Sequence, residues 1–213
     1  MDGLDIFILV MELTGTIAFA SSGAMLAMQK EMDLFGVAVL GVTASVGGGL
    51  IRDLILGVIP PLMFQKPVYT IVAVAASVLL FFIVYANRNL KNNKITAVYN
   101  KIMLIFDTIG LGIFTVTGIN TARNAGYDQA FLLVFVGVIT GVGGGLLRDI
   151  MAQEKPYILT RHIYACASVM GAAVCVFLES FWAGLPAMAA GLLTVILIRF
   201  FATHYRWNLP KIT

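Results

Sequence analysis

Gly41-Val-Thr-Ala-Ser-Val-Gly-Gly-Gly-Leu-Ile-Arg-Asp53 returns ninety-six positions later as Gly137-Val-Ile-Thr-Gly-Val-Gly-Gly-Gly-Leu-Leu-Arg-Asp149. Upstream of this motif, an offset of ninety-five residues keeps the two halves of the chain aligned. The equivalent pairs are Glu12 with Asp107, Gly15 with Gly110, Phe19 with Phe114, Gly23 with Gly118, Ala27 with Ala122 and Asp33 with Asp128. The chain is therefore an internal duplication, and one inserted residue reconciles the two offsets.

The residues around the motif are mostly apolar. Of the 213 residues, 60% are hydrophobic and 12% are Asp, Glu, Lys or Arg, whereas about a quarter of a soluble domain is charged. This composition excludes a soluble enzyme and predicts an all-α membrane protein. The net charge of +3 is small, and the basic residues form no single stripe, so we expect no nucleic-acid partner.

Apolar segments separated by polar or proline-bearing breaks predict seven transmembrane helices. The spans are 5–28, 35–58, 67–86, 102–122, 130–152, 162–181 and 185–204. Each copy of the duplication holds three spans. Because three is odd, the second copy enters the membrane upside down, which is a common transporter architecture. We therefore predict a first block at 1–94, an inverted second block at 95–182, and a seventh helix with a tail at 183–213.

With seven spans, most basic residues in the breaks fall on one side of the membrane. These residues are Lys30, Arg88, Lys91, Lys94, Lys101, Lys155, Arg161, Arg206 and Lys211. By the positive-inside rule this side is cytoplasmic, so the N-terminus is expected outside and the C-terminus inside.

The two glycine triplets, Gly47, Gly48, Gly49 and Gly143, Gly144, Gly145, have two compatible interpretations. In the first, small residues let neighbouring membrane helices pack closely. In the second, the triplet bends the helix and exposes backbone carbonyls to water or an ion, which requires protein or water around it. The second interpretation predicts that alanine at Gly48 or Gly144 reduces transport without loss of folding.

Each triplet is followed by a charged pair inside a predicted membrane span: Arg52 with Asp53, and Arg148 with Asp149. Charged side chains within a membrane span normally face the protein interior and have a partner there. The duplication places Glu12 at the depth of Arg52 and Asp107 at that of Arg148. We therefore predict two carboxylate–guanidinium clusters, one toward each mouth; the alternative is that each Arg reaches the headgroups or bonds its adjacent Asp.

Other polar residues carry weaker signals. Lys30 and Asp33 lie in a charged turn that is either an ordinary interfacial loop or a gating or anionic-lipid contact. His162 and His204 share no metal-ligand spacing with each other or with Cys166 and Cys175. We expect no metal, no cofactor and no catalytic constellation.

Several of these motifs together resemble the bacterial branch of the trimeric intracellular cation (TRIC) channel family. They are Ser22-Gly-Ala-Met-Leu-Ala27, Lys30-Glu-Met-Asp33, Phe35-Gly36 and the paired Gly-Gly-Gly-x-x-Arg-Asp motifs, and the likeness covers essentially the whole chain. The resemblance implies a homotrimer in the bacterial inner membrane, with a potassium-permeable pore in each protomer lined by kinked second and fifth helices. The implied pore residues are the two triplets with Arg52, Asp53, Arg148 and Asp149. The second copy departs from the pattern at Gly118-Ile-Asn-Thr-Ala-Arg123.

Three functions remain open from the sequence. The first is a passive channel for potassium, in which carbonyls and aspartates attract the ion while arginines limit its occupancy. The second is a secondary transporter of a small zwitterion such as glycine, because bacterial members are also described as glycine transporters. The third is a membrane scaffold in which the Arg-Asp pairs are dispensable.

Overall fold

The computed structural model describes residues 3–86, 93–160, 163–182, 184–205 and 207. Within these ranges the chain is entirely helical, with no strand, which confirms the predicted all-α class. The helices are α1 (Gly3–Gln29), α2 (Leu34–Ile55), α3 (Leu62–Gln65), α4 (Val68–Ala86), α5 (Asn93–Asn124), α6 (Ala130–Met151), α7 (Tyr157–Thr160), α8 (Tyr164–Glu179) and α9 (Leu185–His204).

Six of the helices are long and apolar enough to cross a membrane, namely α1, α2, α4, α5, α6 and α9. They coincide with six of the seven predicted spans. The remaining span, predicted at 162–181, contains α8, an apolar helix of 16 residues. At 1.5 Å per residue such a helix is about 24 Å long, shorter than the roughly 30 Å hydrocarbon core.

The connections differ from the sequence prediction in three places. Helix α5 begins at Asn93, so the second part of the predicted break at 87–101 is helical. The predicted breaks at Pro60–Pro67 and 153–161 contain the four-residue helices α3 and α7. Of the residues that predict a basic face, Arg88, Lys91, Arg161, Arg206 and Lys211 lie outside the described residues, as does His162.

Helices α2 and α6 form the centre of the bundle and cross in opposite directions. Gly48 approaches Thr140 and Gly144 approaches Ala44, so rising numbers on one helix meet falling numbers on the other. Helix α1 packs on α2 and on α5, α5 packs on α6, and α8 pairs with α9. The two copies of the motif therefore meet each other at the middle of the protein.

Both central helices end in the same way, which extends the duplication to the backbone. Gly57 and Gln153, ninety-six residues apart, take left-handed conformations with φ of 71° and 54°. The next amide, of Val58 or Glu154, donates to the carbonyl of Asp53 or Asp149 at 2.8 and 2.9 Å. This closure satisfies carbonyls at a helix end. It directs the backbone toward α3 after α2 and toward α7 after α6.

The start of α2 provides a prediction about stability. Asp33 is the N-cap of α2, and its carboxylate accepts a 2.7 Å bond from the amide of Gly36. Asp33→Ala is expected to lower the unfolding free energy by about 1 kcal/mol, measured by thermal unfolding in detergent. The matched control is Gln129→Ala, because Gln129 caps α6 without a side-chain bond. Equal losses from both variants would contradict the capping role.

Candidate functional site

The glycine triplets are the closest contact between the two central helices. A Cβ added to Gly48 would collide with the Thr140 carbonyl oxygen, and one added to Gly144 would collide with that of Ala44. Neither α2 nor α6 is interrupted at its triplet, and the absence of side chains there serves close packing of the two helices; the predicted bend stays a prediction.

The Arg-Asp pairs have the same local geometry in both copies. The Nε of Arg52 donates to Asp53 Oδ1, and the Nε of Arg148 donates to Asp149 Oδ1, each at 2.8 Å. The second oxygen of each Asp accepts an amide of the following short helix. That amide belongs to Leu62 in one copy and to Tyr157 in the other, at 2.7 and 2.9 Å. Each Asp thus orients its Arg and anchors α3 or α7.

In the second copy, Arg148 is fully buried. Its Nη1 donates to Asp107 Oδ1 at 2.7 Å and to Ser22 Oγ at 2.5 Å. These bonds join α6 to α5 and to α1. The predicted pairing of Asp107 with Arg148 is present, and the guanidinium occupies the space between three helices.

In the first copy, by contrast, Glu12 and Arg52 border an open cavity. Glu12 accepts a hydrogen bond from the hydroxyl of Tyr69 on α4. Among the described residues no ion pair joins Glu12 to Arg52, so the expected Glu12–Arg52 cluster is not formed. The expectation failed because a tyrosine from another helix supplies the partner of Glu12, while Arg52 is held by Asp53.

An open cavity of about 810 Å³ lies beside Glu12 and Arg52. It extends between α1, α2, α4 and α5 as far as Ser45 and Gly49. Its other charged lining residues are Asp5, Asp53 and Lys66. The cavity therefore carries both carboxylates and cations and ends near the α2–α6 crossing, on whose other side Arg148 is buried.

The remaining predicted mouth residues lie elsewhere. Lys30 forms a 2.5 Å ion pair with Glu154, and both side chains are about a third to a half exposed. This pair links the α1–α2 turn to the α6–α7 turn. Asp33 caps α2 as described above. The ion pair and the cap involve no residue of the Arg148 cluster.

Sequence reasoning missed three side chains of the two mouths. Tyr69 and Tyr164 are equivalent at the same ninety-five-residue offset, and that offset would have found them beside Glu12 and Asp107. Arg199 of α9 is 2% exposed, and its guanidinium carbon lies 4.8 Å from the centroid of the Tyr164 ring. The seventh helix lies outside the duplication, so no equivalent residue pointed to Arg199.

Metal-ligating side chains do not gather in the part of the chain that the structure describes: no group of three or more His, Cys, Asp or Glu is placed to hold a metal ion there. Within the site, Arg52 pairs with Asp53, and Arg148 pairs with Asp107 and Asp149.

Comparison with known proteins identifies related sequences over nearly the whole chain. The family model described as "Glycine transporter" matches residues 9–85 and 104–180, which are the two copies of the duplication. The UPF0126 inner membrane protein YadS of Escherichia coli is 39% identical over 94% of this chain and 93% of its own length. A UPF0126 membrane protein of Deinococcus radiodurans is 35% identical over 94% of this chain and 89% of its own.

Solved structures show the same fold. A TRIC trimeric intracellular cation channel orthologue from Rhodobacter sphaeroides has a TM-score of 0.83 and 33% identity, covering 94% of this chain and 99% of the other. A prokaryotic TRIC channel crystallised in 0.5 M KCl has a TM-score of 0.84 and 30% identity, covering 96% and 99%. With its long apolar helices, the chain is a multi-pass integral membrane protein.

Proposed function

Because this chain belongs to the bacterial TRIC channel family, whose family model is described as "Glycine transporter", we propose that it conducts monovalent cations, with potassium as the transported ion. The related solved proteins are cation channels by name. The proposed assembly is a homotrimer in the bacterial inner membrane, with one pathway in each protomer.

One observation carries the proposal: an open charged cavity meets a sealed mouth on the far side of the same helix crossing. The cavity reaches Gly49 and Ser45, and the completely buried Arg148 lies one helix away, bonded to Asp107. A continuous pathway arises if Arg148 moves, and Glu12 with Asp53 favours cations at the open end. The arrangement corresponds to the closed state of a channel with one gate.

The proposed topology follows from the duplication. Seven spans, with α8 as the sixth, make the second block an inverted copy of the first. The opposite directions of α2 and α6 support this, since equivalent helices of inverted copies run oppositely. The proposed blocks are 1–94, 95–182 and 183–213, with the N-terminus outside and the C-terminus in the cytoplasm.

The pore role of the triplets is now narrower than the sequence suggested. Gly49 lines the cavity, whereas Gly48 and Gly144 are buried in the contact between α2 and α6. We therefore assign the pathway to Gly49, Arg52 and Asp53 on one side, and to Gly145, Arg148 and Asp149 on the other. The other triplet glycines, Gly47 and Gly143, bring the two helices together.

A secondary transporter of a small zwitterion such as glycine is the second candidate. The cavity favours it by offering both carboxylates and cations, from Glu12 and Asp5 to Arg52 and Lys66. A pathway that is open at one mouth and closed at the other also suits an alternating-access mechanism. The two candidates differ in kinetics, because a channel gives unitary currents and a carrier gives saturable counterflow.

The deciding experiment is reconstitution of the purified protein with potassium-flux and glycine-uptake assays on the same vesicles. A channel is expected to give potassium flux that Asp53→Asn makes less cation-selective. Glycine counterflow without resolvable currents would replace the channel by the carrier. Absence of both activities would leave the scaffold interpretation.

A further inference from the structure

The two mouths are built from equivalent residues and nevertheless differ in state. Five pairs match at an offset of ninety-five or ninety-six. They are Glu12 with Asp107, Ser22 with Thr117, Arg52 with Arg148, Asp53 with Asp149 and Tyr69 with Tyr164. Two of the five pairs change residue type, and groups outside these ten residues are a further source of difference between the mouths.

The contacts around the equivalent glycines show how large the difference is. A Cβ on Gly145 would lie 3.3 Å from the Tyr164 hydroxyl, 3.7 Å from Asp107 Oδ1 and 3.8 Å from Arg148 Nη2. A Cβ on Gly49 would meet only atoms of Arg52 within 4 Å. Thr117 Oγ1, the equivalent of the Ser22 hydroxyl that binds Arg148, is buried and has no hydrogen-bond partner among the residues that the structure describes. In the second copy Asp107, Arg148 and Tyr164 converge on Gly145, whereas in the first copy Glu12 and Tyr69 bond each other away from Gly49.

The second mouth has one feature that the duplication does not supply. Arg199 belongs to α9, outside both copies, and stacks on the ring of Tyr164. Tyr164 is 3% exposed, and Asp107, Arg148 and Arg199 all lie within electrostatic reach of it. Tyr164 thus connects the seventh helix to the groups that close the mouth.

Charge balance gives Arg199 a physical role there. Asp107 and Asp149 together carry two negative charges, and Arg148 supplies one positive charge to them. An unbalanced charge in a buried cluster is costly, and a second cation reduces that cost. A guanidinium over an aromatic face is also attracted to the ring when water is excluded.

We propose that Arg199 is a positioning residue that holds the Arg148 mouth closed through Tyr164 and so determines which of the two equivalent mouths is shut. The proposal rests on the proposed pathway between the mouths. The proposal gives α9, the seventh predicted span, which lies outside the duplication, a defined part in gating.

Side-specific labelling tests this independently of transport. In a background of Cys166→Ala and Cys175→Ala, Ser45→Cys places a thiol in the open cavity. A positively charged, membrane-impermeant methanethiosulfonate reagent is applied to right-side-out and inside-out vesicles. With Arg199 present, labelling is expected from the cavity side only. Arg199→Gln is expected to raise labelling from the opposite side at least about tenfold.

Three further variants make the result specific. Arg199→Lys retains a cation and is expected to keep most of the closure. Tyr164→Leu removes the ring and is expected to raise labelling as Arg199→Gln does, which provides a second test if that variant does not fold. Thr194→Val is the control on α9, since the Thr194 hydroxyl donates to the Ala190 carbonyl of its own helix.

The outcomes separate this proposal from the channel proposal. Unchanged labelling in Arg199→Gln or Tyr164→Leu would overturn the role of Arg199, as would a Lys variant that behaves like Gln. Potassium flux is measured in the same vesicles. If neither the parent protein nor any of these variants carries potassium, the channel proposal fails. The labelling then still decides whether Arg199 holds the mouth closed.

Discussion

Gly48→Ala and Gly144→Ala are expected to destabilise the folded protein, each by about 2 kcal/mol. Alanine is the better helix former by about 1 kcal/mol, but its methyl group would collide with a backbone carbonyl of the facing helix. A backbone carbonyl cannot rotate away, so α2 and α6 must separate. Overpacking of this kind costs about 3 kcal/mol, which exceeds the gain in helix propensity.

Gly49→Ala is the matched control for this prediction. The nearest side-chain atom to a Cβ at Gly49 is Arg52 Nη2 at 3.6 Å, an ordinary contact. This variant is expected to be as stable as the wild type or more stable by about 0.5 to 1 kcal/mol. Thermal unfolding in detergent, followed by size-exclusion chromatography, measures all three variants. Normal stability with lost potassium flux in Gly48→Ala and Gly144→Ala would instead restore the interpretation of the triplets as transport elements.

The fold was largely predictable because its signals are local in sequence. Apolar length identified the long helices, and the repeated Gly-Gly-Gly-x-x-Arg-Asp motif identified the duplication. Helix α8 was harder, because its 16 residues lie within a longer apolar segment. The helical part of the 93–101 segment was missed because its polar composition reads as a loop at the membrane surface.

The contacts of the site were predictable only where two interacting side chains are both matched by equivalent residues in the other copy. The pairing of Asp107 with Arg148 was found because both residues have equivalents in the first copy. The same reasoning failed at Glu12, because a duplication fixes which residues are available and not which of two states a mouth adopts. Arg199 was out of reach, since one buried Arg in the last helix becomes informative only when its contact with Tyr164 is seen.

The packing role of the triplets illustrates a further limit. A run of glycines has the same sequence whether it bends a helix or admits a neighbour. Which occurs depends on the residues that face it from another element, here Thr140 and Ala44. Those residues are ninety-two and one hundred positions away along the chain, and no local pattern reports their approach.

Arg148→Met is expected to cost about 3 to 5 kcal/mol, the largest loss among the mouth residues. The change leaves Asp107 and Asp149 buried without their guanidinium, and both carboxylates are at most 2% exposed. Arg52→Met is expected to cost less than about 2 kcal/mol. Asp53 is as buried as Asp149, but it keeps its bond to the Leu62 amide and borders the open cavity, so loss of the Arg52 side chain lets water reach it.

The double variant Arg148→Met with Asp107→Leu separates a charge effect from a packing effect. The double variant removes the Asp107 carboxylate, one of the two that Arg148→Met leaves buried without a guanidinium. It is therefore expected to recover part of the folded yield that Arg148→Met loses. Asp149 remains bonded to the Tyr157 amide, just as Asp53 remains bonded to Leu62 in the other copy. Folded yield and thermal stability in detergent are compared for both single variants and the double. Additive losses would show that Arg148 acts by filling space, and equal losses in Arg52→Met and Arg148→Met would contradict the asymmetry of the two mouths.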